Sequence, residues 1–118
     1  MIDQAHPREL TIAVFGMGYV GTTCAAFFAG QGHRVHGVES DAAKAALLAR
    51  GQVPFVEAGL EERFRHALAQ RRVEMANDAE AAVARSQVSL ICVGTPTGED
   101  GKVQTYRVHL RVTFILND

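Results

Sequence analysis

Leu10-Thr11-Ile12-Ala13-Val14-Phe15 runs directly into Gly16-Met17-Gly18-Tyr19-Val20-Gly21. The apolar six reads as a buried strand, the glycine-rich six as a tight turn and the first turn of a helix. Each glycine has its own task. Gly16 lets the chain reverse at the strand end. Gly18, without a Cβ, lets backbone approach a pyrophosphate. Gly21 lets the helix pack closely on the strand. The helix start then offers unpaired N–H groups and the positive end of its dipole to phosphate charge. The junction therefore predicts the pyrophosphate corner of a dinucleotide-binding fold.

A GxGxxG match alone is weak, and its surroundings strengthen it. Val20 to Ala29 is apolar with few helix breakers, and Arg34-Val35-His36-Gly37-Val38 reads as a second strand that ends at Glu39. That acid follows Gly21 by 18 residues, close to the ~20 expected for a carboxylate that binds the adenosine ribose. A carboxylate accepts hydrogen bonds from the 2′- and 3′-hydroxyls and repels a 2′-phosphate, so NAD is expected over NADP.

The pattern continues along the chain. Helix one is expected over Tyr19–Gln31, stopped by Gly30 and Gly32. Asp41 caps a helix over Ala42–Arg50, with Ala43, Ala46, Leu47 and Arg50 on one face and Gly51 as its stop. A helix is expected from Glu57 to Arg71, apolar at Leu60, Phe64, Ala67 and Leu68 and charged on its other side. Val73–Ala76 reads as strand three. Asn77 or Asp78 caps a helix through Ala84, and Val88–Val93 is a buried parallel strand. The order β-α-β-α-α-β-α-β predicts an α/β, Rossmann-like, doubly wound parallel sheet. It is incomplete, amounting to the mononucleotide-binding half plus an atypical tail. Strands one and four should be neighbours at the switch point, with the Gly94–Thr97 loop beside the cofactor.

Composition sets further bounds. The chain has 118 residues, 47% hydrophobic, with a net charge of −1. That suits one domain with a real core and implies no general attraction to nucleic acid or acidic membranes. No 18-residue apolar run is present, and Met1–Arg8 has no signal-peptide core. Cys24 and Cys92 fall inside expected core elements, are not spaced as a metal site and are not expected to form a disulfide. This fits a reducing cytoplasm. None of the five histidines stands at metal-ligand spacing, so no metal site is expected.

A more specific signal comes from Phe15–Gly21, Gly32-His33, Gly37-Val38-Glu39, Pro54-Phe55-Val56-Glu57-Ala58-Gly59-Leu60-Glu61 and Ile91-Cys92-Val93-Gly94-Thr95-Pro96 taken together. This set resembles the N-terminal domain of the UDP-glucose/GDP-mannose 6-dehydrogenase family. The resemblance covers residue 10 to about 103. It implies a role in oxidising the C6 alcohol of a nucleotide sugar to a carboxylate with NAD⁺. It also implies that Tyr19 and Val20 lie at the pyrophosphate turn, that Glu39 replaces the family's usual Asp on the ribose, that Lys44 lies near that ribose and that Thr95 contacts the dinucleotide. Glu57 falls in the family's VEPGL segment, where Ala58 replaces the proline.

The family's catalytic cysteine segment is absent from these residues, and neither Cys24 nor Cys92 stands in for it, since a catalytic thiolate needs an exposed, electropositive setting. No catalytic residue is therefore assigned. A nucleotide sugar is expected only in a full-length relative, and a homodimer is left open. Residues 1–103 are expected to form the NAD-binding unit and 104–118 an atypical tail. There Val108, Leu110, Val112 and Phe114 alternate with polar residues, which is strand periodicity, and a shift of coding frame near Val103 would account for it. Two other classes remain: a non-catalytic NAD(H)-binding module acting through a partner, and an inactive truncated product.

Overall fold

The computed structural model describes residues 8–93 and 109–112. Five strands and four helices follow in the order β1 (Thr11–Phe15), α1 (Tyr19–Gly30), β2 (Arg34–Val38), α2 (Ala42–Ala49), α3 (Leu60–Ala69), β3 (Val73–Met75), α4 (Ala79–Arg85), β4 (Val88–Ile91) and β5 (His109–Val112). They form one sheet of order β3-β2-β1-β4-β5. The first four strands are parallel, with Ala13 opposite His36 on one side and Ser89 on the other. β5 joins β4 antiparallel, pairing Leu110 with Leu90. The expected switch point between β1 and β4 is present, and the strand periodicity of the tail is realised over four residues.

β1 is central, and Ile12, Ala13 and Val14 are all buried. Side chains alternate between sheet faces. Ile12 and Val14 join Met17, Ala25, Val35, Leu48, Phe64 and Val73 in the main core. The steps out from β1 to β3 and back to β4 run in opposite directions, so right-handed crossovers put α4 on the face opposite α1 and α3. Accordingly α1 packs on α3, and α4 packs on β1 and β2.

Three helices end in the same way. The chain turns left-handed at Gly32, Gly51 and Arg71, with φ of 96°, 81° and 59°. The next residue's N–H returns to a carbonyl five residues back: His33 to Phe28, Gln52 to Leu47 and Arg72 to Ala67. This is the Schellman arrangement. The two glycines signal it in the sequence; Arg71, a residue for which positive φ is unfavourable, does not.

Several expected boundaries shift. α2 buries Leu48, while Ala43, Ala46 and Arg50 are exposed. α3 starts at Leu60 rather than Glu57, because Gly59 sits at φ 80° and interrupts the helical path. It ends at Ala69, before the left-handed Arg71. β4 ends at Ile91, although the Cys92 N–H still donates to the Phe15 carbonyl at 2.7 Å. No helix among the described residues is long and apolar enough to cross a membrane.

Candidate functional site

The three glycines of the turn occupy three different environments. A Cβ on Gly16 would lie 2.5 Å from the Cys92 carbonyl oxygen, and Gly16 itself has φ 90°. The absent side chain thus lets the turn pass against the end of β4. A Cβ on Gly21 would overlap the Gly16 carbonyl oxygen and lie 3.3 Å from Val14 Cγ1. There glycine lets α1 approach β1. A Cβ on Gly18 would meet nothing within 4 Å. Two glycines are therefore required by the protein's own packing, and the third faces open space in front of α1.

That helix start is left free. Asp41 caps α2 by accepting from the Ala43 and Lys44 N–H groups, and Asp78 caps α4 by accepting from Glu80 and Ala81. The N-cap of α1 is Gly18, which contributes no side-chain cap, and the first turn carries no acid. The first intrahelical bond there runs from Thr22 N–H to the Gly18 carbonyl at 2.9 Å. The amides of Gly18, Tyr19 and Val20 remain available to an anion, and the helix dipole favours one.

Met17 holds the turn in place. Its side chain is fully buried in the core. It lies over Gly37, where a Cβ would come within 3.1 Å of the Met17 sulfur. The Met17 N–H donates to Glu39 Oε1 at 2.9 Å, and the Met17 carbonyl accepts from the buried Thr22 hydroxyl at 3.0 Å. Sequence reasoning missed Met17, Thr22 and Gly37. The available signals were an apolar residue between two glycines and a glycine inside a strand, which often marks a close approach.

Glu39 faces the glycine turn. Its Oε2 accepts from the Asp41 N–H at 3.0 Å, and its side chain is only 7% exposed. Lys44 Nζ lies 3.9 Å from Oε1. The structure thus brings together Gly16, Gly18, Tyr19, Val20, Gly21, Glu39 and Lys44. Thr95 lies outside the described residues. A carboxylate offers about four acceptor positions, so Glu39 can support the turn and still accept from a diol.

Tyr19 and Val20 are exposed at the rim of the corner. The Tyr19 ring stands edge-on to Phe55, with centroids 6.3 Å apart and planes at 90°. Hydrogen bonding with Glu57, then burial, then the Glu57 charge push the phenol of Tyr19 above its ordinary range.

Cys24 and Cys92 are free and half-buried. Burial raises the Cys92 thiol first, followed by the neighbouring Cys24. A thiol held protonated is a poor nucleophile.

Residues 10–116 match the NAD binding domain of the UDP-glucose/GDP-mannose dehydrogenase family. The chain is 40% identical over 92 residues to a GDP-mannose 6-dehydrogenase of Pseudomonas putida, covering 78% of this chain and 21% of that protein. It is 39% identical over 99 residues to a UDP-glucose 6-dehydrogenase of Pseudomonas aeruginosa, covering 84% and 22%. Among solved structures, a ternary complex of GDP-mannose dehydrogenase from Pseudomonas aeruginosa superposes with a TM-score of 0.72 at 40% identity over 79% of this chain and 21% of that one. A UDP-glucose dehydrogenase from Pyrobaculum islandicum gives 0.75 at 36% identity, over 87% and 24%. The chain spans about one fifth of the length of the curated relatives it matches.

Proposed function

The chain belongs to the UDP-glucose/GDP-mannose dehydrogenase family, and from that premise we propose how its residues bind the dinucleotide. The cofactor is NAD. The carrying observation is the open space at Gly18 in front of an uncapped helix start. There the amides around Gly18, Tyr19 and Val20 hold the pyrophosphate. Glu39 accepts from the ribose hydroxyls, and Lys44 balances its charge beside the ribose. Gly16 and Gly21 shape the turn, and Thr95 contacts the dinucleotide. NAD serves as hydride acceptor when bound; this chain's residues bind and orient it.

In a longer protein this unit serves the oxidation of the C6 alcohol of a nucleotide sugar to a carboxylate. GDP-mannose is the favoured substrate over UDP-glucose, on local likeness around Cys24 and the β4 strand. By itself the chain binds cofactor without turnover, as a cytoplasmic protein whose self-association is open to direct measurement. Residues 1–103 carry the binding unit and 104–118 are an atypical tail, of which His109–Val112 adds β5 to the sheet.

A calorimetric titration with NAD⁺ and NADP⁺ tests the ribose assignment. The parent is expected to prefer NAD⁺. Glu39→Gln keeps one acceptor for the Met17 amide but removes the charge that repels a 2′-phosphate. The expected result is a narrowing of the preference by roughly tenfold, the scale of one charged hydrogen bond. Equal binding of both cofactors by the parent contradicts the assignment.

A further inference from the structure

Glu39 shares the tip of β2 with a second carboxylate. The chain turns there and enters α2, and Asp41 ties the turn together. Its N–H donates to Glu39 Oε2 at 3.0 Å, while its own Oδ1 accepts from the Ala43 N–H at 3.0 Å and the Lys44 N–H at 3.2 Å. Glu39 is largely covered: the Met17 and Asp41 amides bond its two oxygens, and 7% of its side chain is exposed. Lys44 Nζ lies 3.9 Å from Glu39 Oε1, so these two charges nearly cancel at a distance. Asp41 is exposed and adds a further negative charge. A carboxylate paired with a lysine repels phosphate only weakly, and the lysine itself attracts it. Glu39 and Lys44 without Asp41 would therefore discriminate poorly against a ribose that carries a 2′-phosphate. The start of α2 would favour such a phosphate as well, through free N–H groups and the helix dipole. Two of those N–H groups are already taken by the Asp41 carboxylate.

We propose that Asp41 is a specificity-determining residue of the cofactor site: its carboxylate fills the amides of Ala43 and Lys44 and leaves the turn negative, so that a 2′-phosphate is rejected and NAD is selected over NADP. This rests on the reading of Glu39 as the ribose acceptor given above. The role is separable from helix capping. Asparagine caps as well as aspartate and carries no charge, whereas glycine caps nearly as well and leaves both amides free. It is also separable from the support of Glu39. The group of Asp41 that serves Glu39 is its backbone N–H, which survives substitution of the side chain.

The test uses the 118-residue chain, titrated with NAD⁺ and with NADP⁺ at fixed ionic strength. The readout is the ratio of the NADP⁺ Kd to the NAD⁺ Kd, with thermal midpoints as the folding control. Asp41→Asn is expected to lower that ratio about fivefold through tighter NADP⁺ binding, the scale of one exposed charge facing a phosphate. Asp41→Gly is expected to lower it about twentyfold, because the phosphate also gains the two freed amides. Should Asp41→Gly melt early, Asp41→Asn carries the test with the cap kept. Lys44→Gln added to Asp41→Asn is expected to restore most of the parent ratio, since the ammonium supplies the attraction. The gap between parent and Asp41→Asn is expected to shrink at about 1 M salt, where exposed charges are screened; a change in capping would not respond in that way. An unchanged ratio in both Asp41 variants, with a parent that prefers NAD⁺, overturns the inference alone and leaves Glu39 as the discriminating group. So does a ratio lowered only by weaker NAD⁺ binding. A parent that binds both cofactors equally, or neither, overturns this inference together with the ribose reading.

Discussion

Gly21→Ala is expected to destabilise the chain by about 3 kcal/mol or more, because the new methyl would overlap the Gly16 carbonyl oxygen with backbone on both sides of the clash. Relief requires α1 to move off β1, and α1 carries Ala25 and Ala29 into the main core. A small domain has only about 5–15 kcal/mol in total. The thermal midpoint should therefore fall by roughly 10–20 °C. Gly30→Ala is the control within the same helix. A Cβ there meets nothing within 4 Å, so the change should be neutral or slightly stabilising through helix propensity. Differential scanning calorimetry of the two variants beside the parent checks the contrast. Equal midpoints for Gly21→Ala and Gly30→Ala would contradict the packing role.

Gly18→Ala should have the opposite signature. Gly18 sits at φ −75° in extended backbone, which alanine adopts, and its Cβ would project into open space. Folding is expected to change by less than about 1 kcal/mol. Affinity for NAD⁺ should fall roughly 100-fold, since the methyl occupies the pyrophosphate path and displaces one or two charge-assisted bonds of about 1.5–3 kcal/mol each. Isothermal titration with a parallel melting curve separates the two quantities. A variant that melts early, or one that binds as well as the parent, would remove Gly18 from the phosphate site.

These two outcomes also show what was legible in the sequence. The spacing Gly16, Gly18, Gly21 after an apolar strand carried the separate tasks of the glycines, because each follows from where a Cβ points at that step of a strand–turn–helix. The strand order followed from alternating elements and crossover handedness. The place of Glu39 at the tip of β2, beside the turn, followed from its spacing after the glycines.

Other features were hidden for physical reasons. Leu47 and Leu48 are adjacent in an alanine-rich helix, so periodicity barely fixes which of them faces inward, and Leu48 is the one buried. Helical spacing in the α3 region runs back past Gly59, and only the left-handed turn there sets the true start at Leu60. Glu39 has a longer side chain than aspartate and folds back onto the Met17 and Asp41 amides. That second task depends on side-chain reach, which a spacing rule does not encode. Met17 resembles a loop residue in the sequence, yet it is fully buried beneath the phosphate turn.

The central claim is that backbone amides at the start of α1 take a dinucleotide's pyrophosphate while Glu39 takes its ribose. ¹⁵N-resolved NMR titration of the chain with NAD⁺ reads those groups one by one. The account predicts the largest amide shifts at Gly18, Tyr19, Val20 and Asp41, saturating together, with Val73–Met75 at the far edge strand unmoved. Saturable binding that shifts Val73–Met75 and leaves Gly18 and Tyr19 in place would contradict it.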